Sequence, residues 1–367
     1  MFRQTSHFQR MLKSAESMKS LESDAAGALQ AVLSDVPAIH GVDIEFEPPG
    51  SDRGLDLIAR FAVDGRPHML VVEVKSTGQP RHVRAGLLQL RHYAEQFGAP
   101  ATPVFVAPYL SEEARRLCRD QGVGFLDLEG NCRIVFDGVF IERIVPTRPT
   151  VARRELKSLF KPKSAQVLRV LLRAPQRAWK VVDLADAADV SLGHVSNVRT
   201  ALLDREWATV DDGLRLTAPA ALIDHWRDNY EPPAGEWIAA YTPLHGEALT
   251  RAIRAAADRP EGRVVLASFS AARWLAPYAR TGTDYLYVDR AGHAALRQVM
   301  DIGPIARGAN LEITVLKDEG LFRDSVEPAP GVHTTSPVQT YLDLAVAGER
   351  GREAAEHLRE SGLEWPR

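Results

Sequence analysis

The run VVEVK, residues 71–75, sets a carboxylate and an ammonium two positions apart in an otherwise apolar stretch. Side chains two apart in a strand share a face, so Glu73 and Lys75 project together while Val72 and Val74 point the other way. Taken alone, such a pair is most economically an ion pair on a sheet. Asp56 widens the chemistry, because it lies on the preceding strand, joined to this one through a turn at Asp64-Gly65. Two carboxylates converging on a lysine suit metal-assisted phosphodiester hydrolysis. Asp56 and Glu73 would hold Mg²⁺ or Mn²⁺ through oxygen, and the metal would supply hydroxide. Lys75 would orient the water or stabilise the pentavalent phosphate.

The elements that must position these groups are legible nearby. LESDAAGALQAVL reads as a helix, and LDLIARFAV and HMLVVEVK as a hairpin, since Asp-Gly suits a tight turn between alternating strands. VRAGLLQLRHYAEQF follows as a helix with Gln89 and Tyr93 one turn apart on one face, then TPVFVAPYL as a strand. SEEARRLCRDQG is a helix with Ser111 at its N-cap, and GFLDL and the hairpin RIVFDGVFIERIV close the region. The order gives an α/β domain with a mixed sheet over 1–145. The spacing of His68, His82 and His92 makes no zinc site, and Asp127, Gly130 and Asn131 read as turn chemistry before the last hairpin, with a substrate role for Asn131 left open.

In order and spacing, G-L-D-L-I-A, V-V-E-V-K and a helix with Gln89 and Tyr93 resemble the PD-(D/E)xK, restriction-endonuclease-like nuclease superfamily, the last element resembling the Q-x-x-x-Y motif of its RecB-type members. The resemblance covers roughly residues 20–140. It implies a metal-dependent deoxyribonuclease fold in which Asp56 and Glu73 bind Mg (or Mn), Lys75 is catalytic, and Gln89 and Tyr93 support substrate or site geometry. An acid on the first helix often joins such a site, and Glu22 is the candidate.

Between Val151 and Lys180 stand nine Lys or Arg against a single acid, Glu155. Residues 146–163 read as a basic linker into a helical region, 164–230. SAQVLRVLLRAP is a one-sided helix; VVDLADAADV, an N-cap at Ser191, LGHVSNVRTALLDREW and a hairpin turning at Asp212-Gly213 follow. This is the order of a winged helix-turn-helix. Val190, Val195, Val198 and Leu202 fall at core spacing, leaving His194, Ser196, Asn197, Arg199 and Thr200 to meet a major groove. Lys161 and Lys163 would add phosphate contacts through counterion release. A module that binds protein is the competing reading.

After EPPAG at 231–235, a third α/β region fills 236–367, with RVVLAS, DYLYVD and LEITVLK as short strands. ASFSAARWLAPYARTGTDYLYVD and TTSPVQTYLDLAVAGERGREAAEHLRE resemble the C-terminal region of AbiEi-type antitoxins of type IV toxin–antitoxin systems, over about 165–365. That resemblance implies a DNA-binding autorepressor, a nucleotidyltransferase-type toxin as partner, and a nucleotidyltransferase-like fold. Ser268-Phe269-Ser270 lacks the Gly-Ser pair, and Asp284 and Asp289 are too far apart for D-x-D, so this copy reads as inactive. Tyr341, Leu342 and Leu344 read as helix packing.

The totals bound these readings. A chain of 367 residues with 45% hydrophobic and 25% charged residues suggests two to three globular domains. Cys118 and Cys132 are the only cysteines, which excludes a disulfide framework and a four-Cys zinc site. No run of about 18 apolar residues argues for a membrane span, and MFRQTSHFQRMLKS lacks a signal core. A cytoplasmic location is the default expectation, with double-stranded DNA as partner and a homodimer among the assemblies allowed. Two functions remain open: an antitoxin-type regulator that keeps a nuclease fold as a platform, and a Mg-dependent DNA endonuclease in defence or mobile-element biology, targeted by its winged helix.

Overall fold

Two of the three Asp-Gly turns decide strand register. Asp64 (φ 46°) and Gly65 (φ 80°) are left-handed, as are Asp137 (φ 40°) and Gly138 (φ 81°). This is the pair of dihedrals that a two-residue hairpin needs to match strand twist. The computed structural model describes residues 2–46, 55–96, 101–146, 149–278, 281–305 and 307–363, with no side chains for 2–15, 96 and 304. It divides into two compact units, Met1–Arg153 and Arg154–Arg367.

The first unit runs α1 (Phe2–Ser34), β1 (Ile39–Phe46), β2 (Leu57–Val63), β3 (Arg66–Val74), α2 (Pro80–Gln96), β4 (Ala101–Ala107), α3 (Glu112–Asp120), β5 (Gly124–Asp127), β6 (Cys132–Phe136) and β7 (Val139–Arg143). Its sheet has seven strands in chain order. β3, β4 and β5 are parallel and the remaining pairings antiparallel. The strand period of two sorts its faces. Val72 and Val74 pack with Leu29 and Leu33 of α1, while Val71 packs with Phe105, Leu87 and Leu90 on the side of α2 and α3. Glu73 therefore points to the α2 face. Strand β1 was not foreseen from the sequence. It is an edge strand with a register shift between His40 and Asp43, and most of its side chains are exposed.

In the second unit the expected linker carries a helix, α4 (Thr150–Leu159), whose Leu156 and Leu159 are buried; residues 147–148 of that expected linker lie outside the described residues. Next come α5 (Pro162–Arg173), α6 (Val181–Ala188), α7 (Leu192–Asp204), the hairpin β8 (Ala208–Val210) and β9 (Leu214–Leu216), and α8 (Pro219–Asp228). Then follow β10 (Gly235–Tyr241), α9 (Gly246–Ala257), β11 (Val264–Leu266), α10 (Ser268–Leu275), β12 (Asp284–Val288), α11 (Arg290–Val299), β13 (Gly303–Pro304), β14 (Leu311–Leu316), a 3-10 helix (Glu319–Asp324), β15 (Val326–Ala329), β16 (Val332–Thr334), α12 (Pro337–Ala345) and α13 (Gly348–Gly362). Its seven-stranded mixed sheet has the order β13-β10-β14-β12-β11-β16-β15.

The helical region and the region after 236 do not keep separate cores. Leu168, Leu171, Val195, Leu202 and Trp226 bury against one another in the same cluster as Phe269, Tyr341, Leu342 and Leu358. A polar network crosses this core. Asp343 accepts hydrogen bonds from the Tyr230 hydroxyl, from the Tyr287 hydroxyl (2.9 Å) and from Gln339 Nε2 (3.0 Å). Arg169 Nη1 donates to Gln339 Oε1 (3.1 Å), and Asp324 takes an ion pair from Arg173 (3.1 Å) and a longer one from Arg169 (3.8 Å). No helix among the described residues is long and apolar enough to cross a membrane.

Candidate functional site

The first candidate site lies at the end of β3 and the start of β2. Asp56 N donates to Val72 O (3.1 Å), and Asp56 Oδ2 accepts from Val74 N (2.6 Å). The hairpin thus folds the Asp56 carboxylate back onto the strand that carries Glu73. Glu73 is 1% exposed, and one of its oxygens pairs with Lys75 Nζ. Its other oxygen, Oε2, is buried without a hydrogen-bond partner. Burial raises the Glu73 carboxyl above the ordinary glutamate range; Lys75 works against this and the Asp56 charge adds to it. Asp56 is raised by burial too, with the Val74 N–H and Lys75 opposing. Glu22, half-exposed on α1, is raised by partial burial and then by Asp56, which puts it beside the site. Sequence could nominate Glu22 but not its register on a helix of 33 residues.

Asp56, Glu73 and Lys75 are therefore together, with one cation against two acids, Glu73 buried and Asp56 half-buried. Among the described residues no group of three or more His, Cys, Asp or Glu could hold a metal ion. A pair of carboxylates is still the set Mg²⁺ uses when it keeps most of its water, and the unpartnered Glu73 Oε2 is an oxygen such an ion would satisfy. Those residues fit the ion. Gln89 and Tyr93 are not hydrogen-bonded to the three. Gln89 is exposed on α2, and Tyr93 packs against the core on the α2 face. Gly86 on the same helix lies close to the strands: a Cβ there would meet Phe105 at 2.5 Å and Glu73 Cγ at 3.7 Å.

The same rim carries a structural hub that sequence read only as a turn. Asp127 ends β5, and its carboxylate accepts from Leu110 N (3.1 Å), Glu129 N (3.1 Å), Asn131 N (2.9 Å) and Asn131 Nδ2 (2.8 Å). Asn131 Oδ1 accepts from Arg115 (2.6 Å) and Val145 N (2.7 Å). Asn131 is fully occupied in holding the loop. His68 is buried between Phe61 and Phe136, with Asp137 (3.1 Å) and Thr102 (3.0 Å) on its ring nitrogens.

The second candidate site is the outer face of α7. Asp189 ends α6 in the left-handed conformation (φ 50°), and Ser191 Oγ caps α7 by accepting from His194 N (3.3 Å). Val195, Val198 and Leu202 are buried; Ser196, Asn197 and Thr200 are exposed, and Arg199 is half-exposed. His194 turns the other way, its Nε2 3.1 Å from Ser164 Oγ on α5, so it braces α5 against α7 rather than joining the exposed set.

Much of the basic run is spent inside the unit. Arg169 and Arg173 meet Asp324, Lys157 pairs with Glu231 (2.6 Å), and Arg177 stacks 3.7 Å over Trp179. Lys161, Lys163 and Lys180 remain exposed. The hairpin tip carries Asp211 and Asp212, a poor surface for phosphate.

In the sheet region, Asp284 is held by Ser270 (2.8 Å) and Arg273 (3.0 Å), and Asp289 caps α11. Neither acid faces the other as a metal pair would. Residues 215–364 match the family described as "Transcriptional regulator, AbiEi antitoxin, Type IV TA system". That match begins in β9 and runs to the end of the second unit's described residues. No curated protein matches the chain. A solved structure, the crystal structure of a repair endonuclease from Pyrococcus abyssi, is similar at 20% identity and a TM-score of 0.23, over 30% of this chain and 46% of that one.

Proposed function

We propose that the protein is a DNA-binding transcriptional regulator of AbiEi antitoxin type. In this reading α5, α6 and α7 with the β8–β9 hairpin form a winged helix-turn-helix. Ser196, Asn197, Arg199 and Thr200 on α7 read the major groove, and Lys161, Lys163 and Lys180 hold phosphates. The observation that carries it is the antitoxin-family match over 215–364, which shares one hydrophobic core with these helices. A nucleotidyltransferase-type toxin is the protein partner this reading calls for.

The test is binding of the full chain to its own promoter DNA, followed by fluorescence anisotropy. Asn197→Ala is expected to cost about 1–3 kcal/mol on the specific site and little on random DNA. With Lys161, Lys163 and Lys180 as the phosphate contacts, log K is expected to fall against log salt with a slope of about 3 per bound chain. Equal affinity for all sequences, or a slope near 8, would refute this assignment.

A second reading is favoured by the buried, unpartnered oxygen of Glu73. Here the first unit is a PD-(D/E)xK-type, Mg- or Mn-dependent deoxyribonuclease. Asp56 and Glu73 would hold the ion, which when bound supplies a water of lowered pKa and offsets charge on the phosphate. Lys75, 37% exposed at its side chain and tethered to Glu73, is placed to donate to a phosphate oxygen or to the attacking water. Gln89 and Tyr93 on α2 would support the substrate strand. Metal-dependent cleavage of single- and double-stranded DNA by the full chain is the measurement. Lys75→Ala and Glu73→Gln are each expected to lower the rate by at least about 100-fold with DNA affinity retained. Wild-type protein that cuts neither form in either metal sinks the nuclease reading and leaves the regulator intact.

A further inference from the structure

The second unit contains a cavity of about 330 Å³, of whose lining the regulator reading uses only Lys161. Its apolar wall is Phe160, Trp226, Pro232, Pro233 and Leu321. Phe160 and Trp226 stack at 5.6 Å between centroids with only 4° between planes, giving a flat face. The polar end is formed by Arg169, Gln339 and Tyr230, with Lys161 also in the lining. Arg169 is 5% exposed and Gln339 2%, so this end is built into the core and is not a surface accident.

The charged groups in the lining give the sign of the ligand. Arg169 Nε is buried without an acceptor, because Asp324 stands 3.8 Å away and is shared with Arg173. No acid pairs with Lys161 among the described residues. The two acids in the lining are already engaged: Glu231 with Lys157 (2.6 Å), and Asp318 with the Gly320 N–H (2.8 Å). Asp324 Oδ2 and Asp343 Oδ2 are also buried without partners and offset the Arg169 charge, but neither residue lines the cavity, where Lys157, Lys161 and Arg169 outnumber Glu231 and Asp318 by one positive charge. A buried cationic donor without an acceptor is costly, and a ligand acceptor would offset that cost.

We propose that this cavity binds a small organic carboxylate with a flat or branched apolar body about one ring in size. The body lies on the Phe160–Trp226 face and the carboxylate meets Arg169 and Lys161. The volume is at the lower end for ligand pockets, and an apolar lining with a few convergent polar groups is their usual make-up.

Phenylacetate and its neutral counterpart phenylacetamide serve as probes, titrated into the full chain without DNA by isothermal calorimetry. Phenylacetate is expected to bind at least about ten-fold more tightly than the amide, a difference of about 1.4 kcal/mol. Lys161→Ala, at an exposed position with little folding risk, is expected to weaken phenylacetate and leave the amide unchanged. Ala165→Leu, which adds volume at the cavity wall, is expected to remove both, with intrinsic tryptophan fluorescence confirming a folded unit. Equal affinity for the two probes, no heat from phenylacetate at about 1 mM, or binding indifferent to both substitutions would each overturn the proposal.

Discussion

Replacing Asp343 by asparagine is expected to remove a pH dependence of about 3 kcal/mol from the stability of the second unit. Burial pushes the Asp343 carboxyl from 3.8 to about 6, in spite of hydrogen bonds from Tyr230, Tyr287 and Gln339 and the nearby Arg169. Between those two values the folded unit holds a proton that the unfolded chain has released. Stability is therefore greatest below the lower value and falls as pH rises through the upper one. Each pH unit of that window is worth about 1.4 kcal/mol, which sums to about 3. Asparagine cannot ionise, so the variant keeps the shape and loses the slope. It also places an amide nitrogen where Oδ2 has no partner, which adds a constant offset without any pH dependence.

The quantity to measure is thus the change with pH in the difference between the two proteins, by urea unfolding from about pH 4 to 7. All six tryptophans come after residue 153 in the chain, and five of them, residues 179, 207, 226, 237 and 274, are described in the second unit, so tryptophan fluorescence follows that unit without interference from the first. In a unit of this size, 3 kcal/mol corresponds to about 6–12 °C in Tm. Parallel stability curves for wild type and variant across the range would refute the reasoning.

Two further predictions concern the first unit, which has no tryptophan and is followed by far-UV circular dichroism. Asp127→Ala strips the acceptor from four N–H groups and is expected to cost about 3–5 kcal/mol; a loss below about 1 kcal/mol would mean the loop is held by something else. Gly78→Ala would place a Cβ 2.1 Å from Tyr109 O and open the Gly78–Leu110 bridge just beyond Lys75. It is expected to cost about 1–3 kcal/mol and to lower any metal-dependent cleavage, and an unchanged melting curve would contradict that close approach.

What the sequence by itself determined is local. Asp64-Gly65 and Asp137-Gly138 specified their turns because left-handed backbone is cheap for those residues. Ser111 and Ser191 specified helix starts because a hydroxyl can satisfy an orphan N–H. The period of two put Glu73 and Lys75 on one face. Strand β1 escaped notice because an edge strand with exposed side chains has little apolar alternation to display. The expected linker hid α4, whose two buried leucines acquire meaning only once a core exists to receive them.

The tertiary structure alone decided how charges are spent. Arg169 and Arg173 looked like part of a basic patch until a 3-10 helix some 150 positions away supplied Asp324. His194 looked like a groove contact until Ser164 took its ring nitrogen. Glu73 looked like half of an ion pair, and the fold buried both its oxygens while giving a partner to only one. Turn and strand signals are encoded in backbone dihedrals within a few residues. The energy of a charge depends on burial and on partners that any segment of the chain can bring, and packing alone selects those partners.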